Sequence, residues 1–153
     1  MDALTVRFAT VEDVPSLSLM LHSLWPEGSA EQHASELRAM LSGPGESTLP
    51  VKILLAQVNE RAVGFVEAGL RSHADGCDTR RPVGFVEGWY VEPAFRRRGI
   101  GAELIGAAED WARSQGCTEM ASDTWLDNVD SQSAHEALGY EVVDRCVHYR
   151  KKL

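Results

Sequence analysis

Six residues, Arg-Arg-Arg-Gly-Ile-Gly at positions 96–101, join a strand-like segment to a helix-like one, and this junction constrains the fold more than any other part of the sequence. A helix start leaves several backbone N–H groups without a partner inside the helix, and the helix dipole adds partial positive charge there. Glycines at 99 and 101 allow a ligand to approach the backbone, and the arginines can pair with an anion. The loop is therefore predicted to bind a phosphate-bearing ligand.

The segments on both sides predict a strand–loop–helix unit. Residues 83–91 are rich in β-branched and aromatic side chains, which is typical of a strand. Gly88 within that strand indicates a bulge or a close approach by a ligand. After the loop, apolar residues recur at helical spacing, namely Ile100, Leu104, Ala108 and Trp111. The loop lacks the Gly-Lys-Ser/Thr of a nucleotide P-loop and the third glycine of a dinucleotide fingerprint, which excludes both motifs.

The rest of the chain predicts a single α+β domain over residues 1–153. The predicted elements are a strand at 5–8, helices at 14–24 and 30–41, strands at 51–57, 62–70 and 83–91, a helix at 100–115, a strand at 119–124, a helix at 131–138 and a strand at 140–149. Thr10 or Asp13 can cap the first helix, and Ser29 with Gln32 forms a capping box for the second. Gly43-Pro44-Gly45 is predicted to end the second helix.

Composition narrows the class of protein. The chain has 153 residues, no apolar run near the roughly 20 needed to span a bilayer, and no signal-peptide pattern. Its three cysteines lack any Cys-x-x-Cys pair, so we expect free thiols in a reducing compartment and a cytoplasmic location. The net charge of −8 argues against a nucleic-acid partner and is compatible with a cationic small molecule, although solubility alone explains it equally well. No metal-ligand pattern stands out among the histidines, and we expect no membrane or metal partner.

The loop resembles a known family. Residues 96–101 fit the pattern Arg/Gln-x-x-Gly-x-Gly/Ala, which is similar to the acetyl-CoA pyrophosphate loop of the GNAT superfamily of N-acetyltransferases. Val91-Glu92-Pro93, and the stretch from Asn128 to Leu138-Gly139-Tyr140, are also similar to that family. The order of predicted elements is the GNAT order as well, so the resemblance covers essentially the whole chain. It implies a central mixed β-sheet with helices on both faces.

The same resemblance implies how acetyl-CoA is held. Pantetheine would pair with the strand end as if it were a further strand, and pyrophosphate would lie on the loop. The implied residues are Trp89, Tyr90, Val91, Arg96, Arg97, Arg98, Gly99, Ile100 and Gly101. Asn128 matches the family's asparagine that bonds the cofactor arm, and its alternative interpretation is a turn residue.

Acyl transfer to an amine calls for carboxylates. A primary amine with a pKa near that of lysine, about 10.4, is protonated at neutral pH, and freeing it costs about 4 to 5 kcal/mol. A carboxylate acting directly or through water would help, and carboxylates also bind a cationic acceptor. Acids are poor strand formers, so Glu87 and Asp123, in or at the end of predicted strands, are the candidate catalytic residues. The alternatives are a structural bond for Glu87 and a turn cap for Asp123.

Shorter matches point to one branch of the family. Five segments resemble the aminoglycoside 6'-N-acetyltransferases, namely Trp25-Pro26, Asp75-Gly76-Cys77-Asp78, Phe85-Val86-Glu87-Gly88, residues 119–124 and Tyr149-Arg150-Lys151. The branch implies an acceptor site bounded by Trp25, His73, Glu87, Asp123 and Asp144, and it implies a homodimer. Core packing is the alternative role for Trp25.

One position departs from the family pattern. GNAT enzymes often carry a tyrosine four residues before the glycine of Leu-Gly-Phe, as the acid for the leaving thiolate, and here that position is His135. His135 is thus a possible general acid or a packed helix residue, with Tyr140 and Tyr149 as weaker substitutes. Besides antibiotic acetylation, the sequence leaves open a GNAT enzyme for another cationic amine, such as a polyamine or a protein amino group, and a non-catalytic acyl-CoA-binding sensor.

Overall fold

The structure is a computed structural model in which residues 3–42 and 49–153 are described. The predicted helix break at Gly43-Pro44-Gly45 lies outside the described residues. The strands are β1 (Leu4–Phe8), β2 (Val51–Val58), β3 (Arg61–Arg71), β4 (Val83–Val91) and β5 (Met120–Ser122). The helices are α1 (Val14–Leu24), α2 (Ala30–Leu41), α3 (Ile100–Ser114) and α4 (Val129–Ala137). No helix in the described ranges is both long enough and apolar enough to cross a bilayer.

The strands form one mixed sheet in the order β1-β2-β3-β4-β5. The first four are antiparallel neighbours, and β5 runs parallel to β4. The predicted hairpin joins β2 to β3 through Asn59 and Glu60, whose φ angles of 49° and 69° give the left-handed turn that matches strand twist. The mixed sheet agrees with the sequence prediction.

Helices cover both faces of the sheet because successive strand residues point to opposite sides. In β2, Leu54 and Ala56 join the core under α3, whereas Ile53 and Leu55 join the core under α1 and α2. Such double burial explains why the strand reads as a continuous apolar run. The prediction of helices on both faces is confirmed.

The strands β4 and β5 part after a short contact. β5 pairs only with Gly84, Phe85 and Val86, while β4 continues to Val91 along β3. In the part of the chain that the structure describes, no strand therefore pairs with the second edge of β4 beyond Val86. This gap opens a cleft at the middle of the sheet.

A β-bulge lies where the strands part. Glu67 of β3 is opposite Gly88, and the next residue, Ala68, is opposite Val86, so Glu87 is the extra residue of β4. The bulge was one of the two predictions for Gly88. The Trp25 ring packs closely against Gly88, since an added Cβ would lie 2.6 Å from Trp25 Cη2.

Two strand predictions need correction. The strand expected at 119–124 is shorter, because β5 covers Met120–Ser122. The terminal strand predicted at 140–149 is wrong: Tyr140 is half-buried, and residues 141–153 are exposed and carry no regular secondary structure. An alternating apolar pattern indicates that a segment can pair, but a strand also needs a partner edge, and residues 141–153 have none within the described ranges.

Candidate active site

The loop between β4 and α3 has the geometry of an anion site. Gly99 is the N-cap of α3 with a left-handed φ of 80°, and Arg97 has a φ of 63°. The first turn of α3 therefore begins with backbone N–H groups that the helix itself does not pair. Gly101 serves a further purpose, because an added Cβ would lie 3.0 Å from Trp89 Cζ2. The glycine lets the Trp89 ring pack directly under the loop.

Two of the three arginines of the loop contact the strand end and the turn before the loop. The Arg96 Nε donates to the Val91 carbonyl at 2.8 Å, and its guanidinium lies 5.6 Å from the Tyr90 ring centroid. The Arg98 guanidinium lies 5.2 Å from the Phe95 centroid. All three arginines are exposed. The loop is thus fastened to β4 while its cationic groups remain at the surface.

The cleft has a floor of aromatic rings on the α3 side. The rings of Trp89 and His135 meet edge to face at 5.4 Å, and those of His135 and Tyr140 meet likewise at 5.8 Å. The Trp89 indole N–H is buried and has no hydrogen-bond partner among the described residues. The Tyr140 hydroxyl donates to Glu109 at 2.9 Å, and burial followed by that bond raises its pKa. Tyr140 is therefore a poor source of a proton.

Both ring nitrogens of His135 are engaged. Nδ1 lies 2.7 Å from the Ser131 carbonyl oxygen, and Nε2 lies 2.8 Å from Ser122 Oγ. A carbonyl only accepts, so Nδ1 carries a hydrogen, and Nε2 of the neutral ring accepts from the Ser122 hydroxyl. His135 is half-buried and borders the cleft. The structure agrees with a packed helix residue and leaves the ring within reach of the cleft.

Glu87 forms an ion pair with Arg71. Arg71 Nε donates to Glu87 Oε1 at 2.9 Å, and Arg71 Nη2 donates to Oε2 at 2.7 Å. The Arg71 guanidinium also lies 3.5 Å from the Phe85 ring centroid. The structural alternative for Glu87 therefore takes the form of a side-chain ion pair. Sequence reasoning missed Arg71, because one arginine at the end of a strand carries no pattern of its own.

Asp123 faces the same cation from β5. It follows the last residue of the strand, is exposed, and lines the cleft. The hydrogen bonds that Arg71 donates to Glu87 raise the pKa of Arg71, and the negative charges of Glu87 and Asp123 raise it further. Arg71 thus lies in the field of both predicted catalytic acids.

A third acid, Glu67, was also missed by sequence reasoning. It lies on β3 opposite the bulge and lines a small cavity with Trp25 and His33. Burial, followed by the charges of Glu87 and Glu36, raises its pKa to about 7. Its position in the apolar strand 62–70 was the only signal that could have found it.

The other predicted acceptor residues lie around the same cleft. Trp25 packs against the core under α1 and α2 and also forms a wall of the cleft, so both interpretations of it agree with the structure. His73 is exposed, with Nδ1 3.3 Å from Ser72 Oγ. Asp144 lies on the exposed C-terminal segment, where its Oδ1 accepts from the Arg145 backbone N–H at 2.7 Å.

Asn128 is the N-cap of α4. Its Oδ1 accepts from the Ser131 backbone N–H at 3.1 Å, which agrees with the turn interpretation. The amide NH₂ is the part of the side chain that can donate to a ligand. Within the described ranges, no three His, Cys, Asp or Glu residues are grouped so as to hold a metal ion.

An open strand edge that runs into a helix-start anion site is the arrangement of a protein that holds an extended, phosphate-bearing cosubstrate. The model of the Acetyltransferase (GNAT) family matches residues 17–140, and the chain belongs to this family of acetyltransferases. The resemblance and the fold class expected from the sequence are thereby confirmed.

Individual relatives and a solved structure are similar to this chain over nearly its whole length. The chain is 44% identical over 148 residues to an aminoglycoside N(6')-acetyltransferase type 1 of Klebsiella aerogenes, covering 97% of this chain and 96% of that one. It is 35% identical over 150 residues to the protein of that name from Stenotrophomonas maltophilia, covering 97% and 94%. The acetyltransferase AAC(6')-Iy in complex with the bisubstrate analogue CoA-S-monomethyl-acetylneamine is similar with a TM-score of 0.87, 33% identity and 99% coverage of both chains.

Proposed function

We propose that the protein is an aminoglycoside 6'-N-acetyltransferase that transfers the acetyl group of acetyl-CoA to the 6'-amine of an antibiotic and so confers resistance. The observation that carries the proposal is the acid-lined cleft beside the open edge of β4, in a chain 44% identical to a relative of that name. A cleft walled by carboxylates suits an acceptor with several ammonium groups.

Acetyl-CoA fits the residues at the open edge. The backbone of residues 89–91 lies on the edge of β4 that no described strand pairs, where pantetheine can bind, and Arg96 already bonds the Val91 carbonyl at that edge. Residues 96–101 offer helix-start N–H groups and arginine charge to pyrophosphate. The NH₂ group of Asn128 is the donor proposed for the cofactor arm. Acetyl-CoA supplies the activated acyl group, and the residues of this chain hold and orient it.

Glu87 and Asp123 are proposed to have different roles toward the acceptor. Both carboxylate oxygens of Glu87 already accept hydrogen bonds from Arg71, at 2.9 and 2.7 Å, so Glu87 is less available than Asp123 to take a proton. Asp123 is exposed at the opposite side of the cleft. We therefore assign Asp123 to binding the ammonium and to taking its proton, directly or through water, and Glu87 to binding. Trp25, His73 and Asp144 complete the proposed acceptor site.

An acceptor panel tests the proposal. Thiol release from acetyl-CoA is measured with kanamycin, with an analogue carrying a 6'-hydroxyl, with spermidine and with a peptide amino terminus. Acetylation of kanamycin at the 6'-amine, located by mass spectrometry, with no turnover of the 6'-hydroxyl analogue, is the expected result. Faster turnover of spermidine or the peptide would reassign the enzyme to another amine. Acetyl-CoA binding with no turnover of any acceptor would make it a sensor.

The C-terminal segment supports a homodimer. Residues 141–153 present exposed apolar side chains that include Val143, Val147 and Tyr149, the last 92% exposed. Exposed apolar surface of this kind is typical of an interface. Light scattering should give the mass of a dimer, and Val147→Arg should shift it toward a monomer. The three free cysteines support a location in the reducing cytoplasm.

A further inference from the structure

We infer that Ser122 and His135 form a proton shuttle for acetyl transfer, in which Ser122 Oγ touches the reacting atoms. The inference rests on the acetyltransferase function proposed above and adds a catalytic residue to it. Two features of the structure support it: the position of Ser122 where the sheet opens, and the orientation of the His135 ring.

The position of Ser122 is set by the sheet. Val86 and Ser122 are the last pair of the parallel ladder between β4 and β5. Ser122 is therefore the residue of β5 at the point where the cleft begins, one position before Asp123. It lines the cleft and is half-buried. An acetyl group delivered along the open edge of β4 would reach this point with the acceptor amine next to Asp123.

The orientation of His135 gives the serine a proton acceptor. Nδ1–H donates to the Ser131 carbonyl at 2.7 Å, which leaves the Nε2 lone pair 2.8 Å from Ser122 Oγ. Edge-to-face contacts with Trp89 and Tyr140 hold the ring in this plane. A hydroxyl bonded to an imidazole whose second nitrogen is fixed by an acceptor is the arrangement that activates a hydroxyl for proton transfer.

The shuttle moves one proton from nitrogen to sulfur. Once Asp123 has taken a proton and left the amine neutral, the amine nitrogen bonds to the acetyl carbon, the C=O π electron pair moves onto the acetyl oxygen, and the nitrogen becomes positively charged. Ser122 Oγ takes a proton from this nitrogen while its own hydrogen passes to His135 Nε2. The electron pair on the acetyl oxygen then re-forms the C=O bond as the carbon–sulfur bond breaks with its own pair on sulfur. Nε2 returns the hydrogen to Ser122 Oγ, and Oγ gives its proton to the sulfur. Ser122 and His135 end as they began, and no other reactant is needed.

The Ser131 carbonyl supports the charged step. While Nε2 holds the extra proton, the ring is an imidazolium, and the Nδ1–H bond to the carbonyl strengthens because its donor is then charged. Tyr140, the neighbouring hydroxyl, is committed to Glu109 and cannot replace Ser122.

Single-turnover measurements test the shuttle with kanamycin, or with whichever amine of the panel is the best acceptor. Ser122→Ala should lower the rate of acetyl transfer by about a hundredfold, within the usual range for acid–base groups. Ser122→Thr keeps the hydroxyl and should recover most of the rate. Ser133→Ala, an exposed serine on the same helix as His135, is the matched control and should leave the rate unchanged. Acetyl-CoA affinity, measured by calorimetry, should be equal in all four proteins.

Two further measurements distinguish a role of Ser122 in proton transfer from a role in holding α4 in place. The rate is plotted against the fraction of heavy water in the solvent. For the wild-type protein the plot should be curved, which requires two moving protons, and for Ser122→Ala it should be a straight line. Nitrogen NMR of His135 in the free protein should show Nδ1 protonated and Nε2 accepting, with the Nε2 signal shifted in Ser122→Ala.

A wild-type ring protonated on Nε2 and not on Nδ1, a linear response of the wild-type rate, or an unchanged rate in Ser122→Ala would each overturn the shuttle. Failure of kanamycin as an acceptor would overturn the proposed antibiotic substrate instead, because the NMR reading needs no acceptor and the kinetic readings need only an active amine.

Discussion

The Arg71 guanidinium holds both oxygens of Glu87, at 2.9 and 2.7 Å, inside the cleft proposed to bind a cationic acceptor. A positive group at that place has two opposing effects. It orients the carboxylate of Glu87, and it cancels part of the negative charge that would attract the acceptor. We therefore expect the charge balance between Arg71, Glu87 and Asp123 to set the affinity for the acceptor.

Removing Glu87 alone should expose this balance. Glu87→Gln leaves Arg71 without its partner, so we expect KM for the aminoglycoside to rise about tenfold with little change in kcat, as for loss of one charged contact. Arg71→Met combined with Glu87→Gln removes the unpaired cation and should recover part of the affinity. Steady-state kinetics of the two single variants and the double variant provide the check. A double variant with a KM no better than Glu87→Gln would contradict the proposed repulsion.

Asp123 should matter more for the chemistry. Asp123→Asn keeps the shape of the side chain and removes its charge and basicity, so kcat/KM should fall by about a hundredfold or more. The measurement is made from pH 6 to 9, because a lost base is partly replaced by hydroxide at high pH. Near-wild-type values for Asp123→Asn over that whole range would remove Asp123 from the mechanism.

The anion loop can be tested by binding alone. Gly101→Glu places a side chain against Trp89, where even a Cβ would lie 3.0 Å from the ring, and adds a negative charge at the proposed pyrophosphate site. We expect acetyl-CoA affinity to fall by a hundredfold or more in calorimetry. Gly106→Ala on the same helix is the control, since an added Cβ there meets nothing within 4 Å among the described residues. Unchanged affinity in a folded Gly101→Glu protein would move the cosubstrate site elsewhere.

Glu67 should make the free energy of unfolding depend on pH. Its pKa is raised to about 7, first by burial, so the folded protein holds this proton over a range in which the unfolded chain, with a glutamate pKa of about 4.3, releases it. This contribution destabilises the fold as pH rises from about 4 to 7. Glu67→Gln should match wild type near pH 4 and be more stable by about 2 kcal/mol at pH 8. Urea unfolding at both values tests this, and a stability difference that does not grow with pH would contradict it.

Asp13 should behave in the opposite way. It accepts two hydrogen bonds from Arg7, at 2.7 and 2.8 Å, and this bonding lowers the pKa of the buried carboxylate. Its contribution is present above the ordinary aspartate pKa of about 3.9 and is lost as pH falls through the lower folded value. Asp13→Asn should cost about 1 to 3 kcal/mol at pH 7, measured by urea unfolding, and less toward pH 3.

Asp110 offers the matched control for Asp13. It pairs with Arg113 on the exposed surface of α3, so Asp110→Asn should cost less than about 0.5 kcal/mol. An equal loss of stability in the two variants would mean that burial of the Arg7–Asp13 pair has no energetic weight.

Local signals in the sequence predicted most elements correctly. The helix α3 and the hairpin of β2 and β3 followed from apolar spacing and turn residues, because each carries its own hydrophobic pattern and its own ends. The terminal strand did not, since pairing depends on an edge that residues 141–153 do not find within the described chain. The hydrogen-bond partners of Glu87 and His135 could not be predicted from the sequence either. Arg71 is 16 residues from Glu87 and Ser122 is 13 from His135, and such contacts arise only when strands and helices pack.

The extra residue of β4, Glu87, determines how this strand can change in length. Before it, Val86 faces the α3 layer; after it, Trp89 and Val91 face that layer and Tyr90 faces the other. Because of this one extra residue, even-numbered side chains face the α3 layer before the bulge and odd-numbered side chains face it after the bulge. Deleting Glu87 alone would restore a continuous alternation in which Val86, Trp89 and Val91 still face the α3 layer. We therefore expect a protein that lacks Glu87 to keep cleft and core on their proper sides while losing the ion pair with Arg71, because what the extra residue adds is a carboxylate at the cleft.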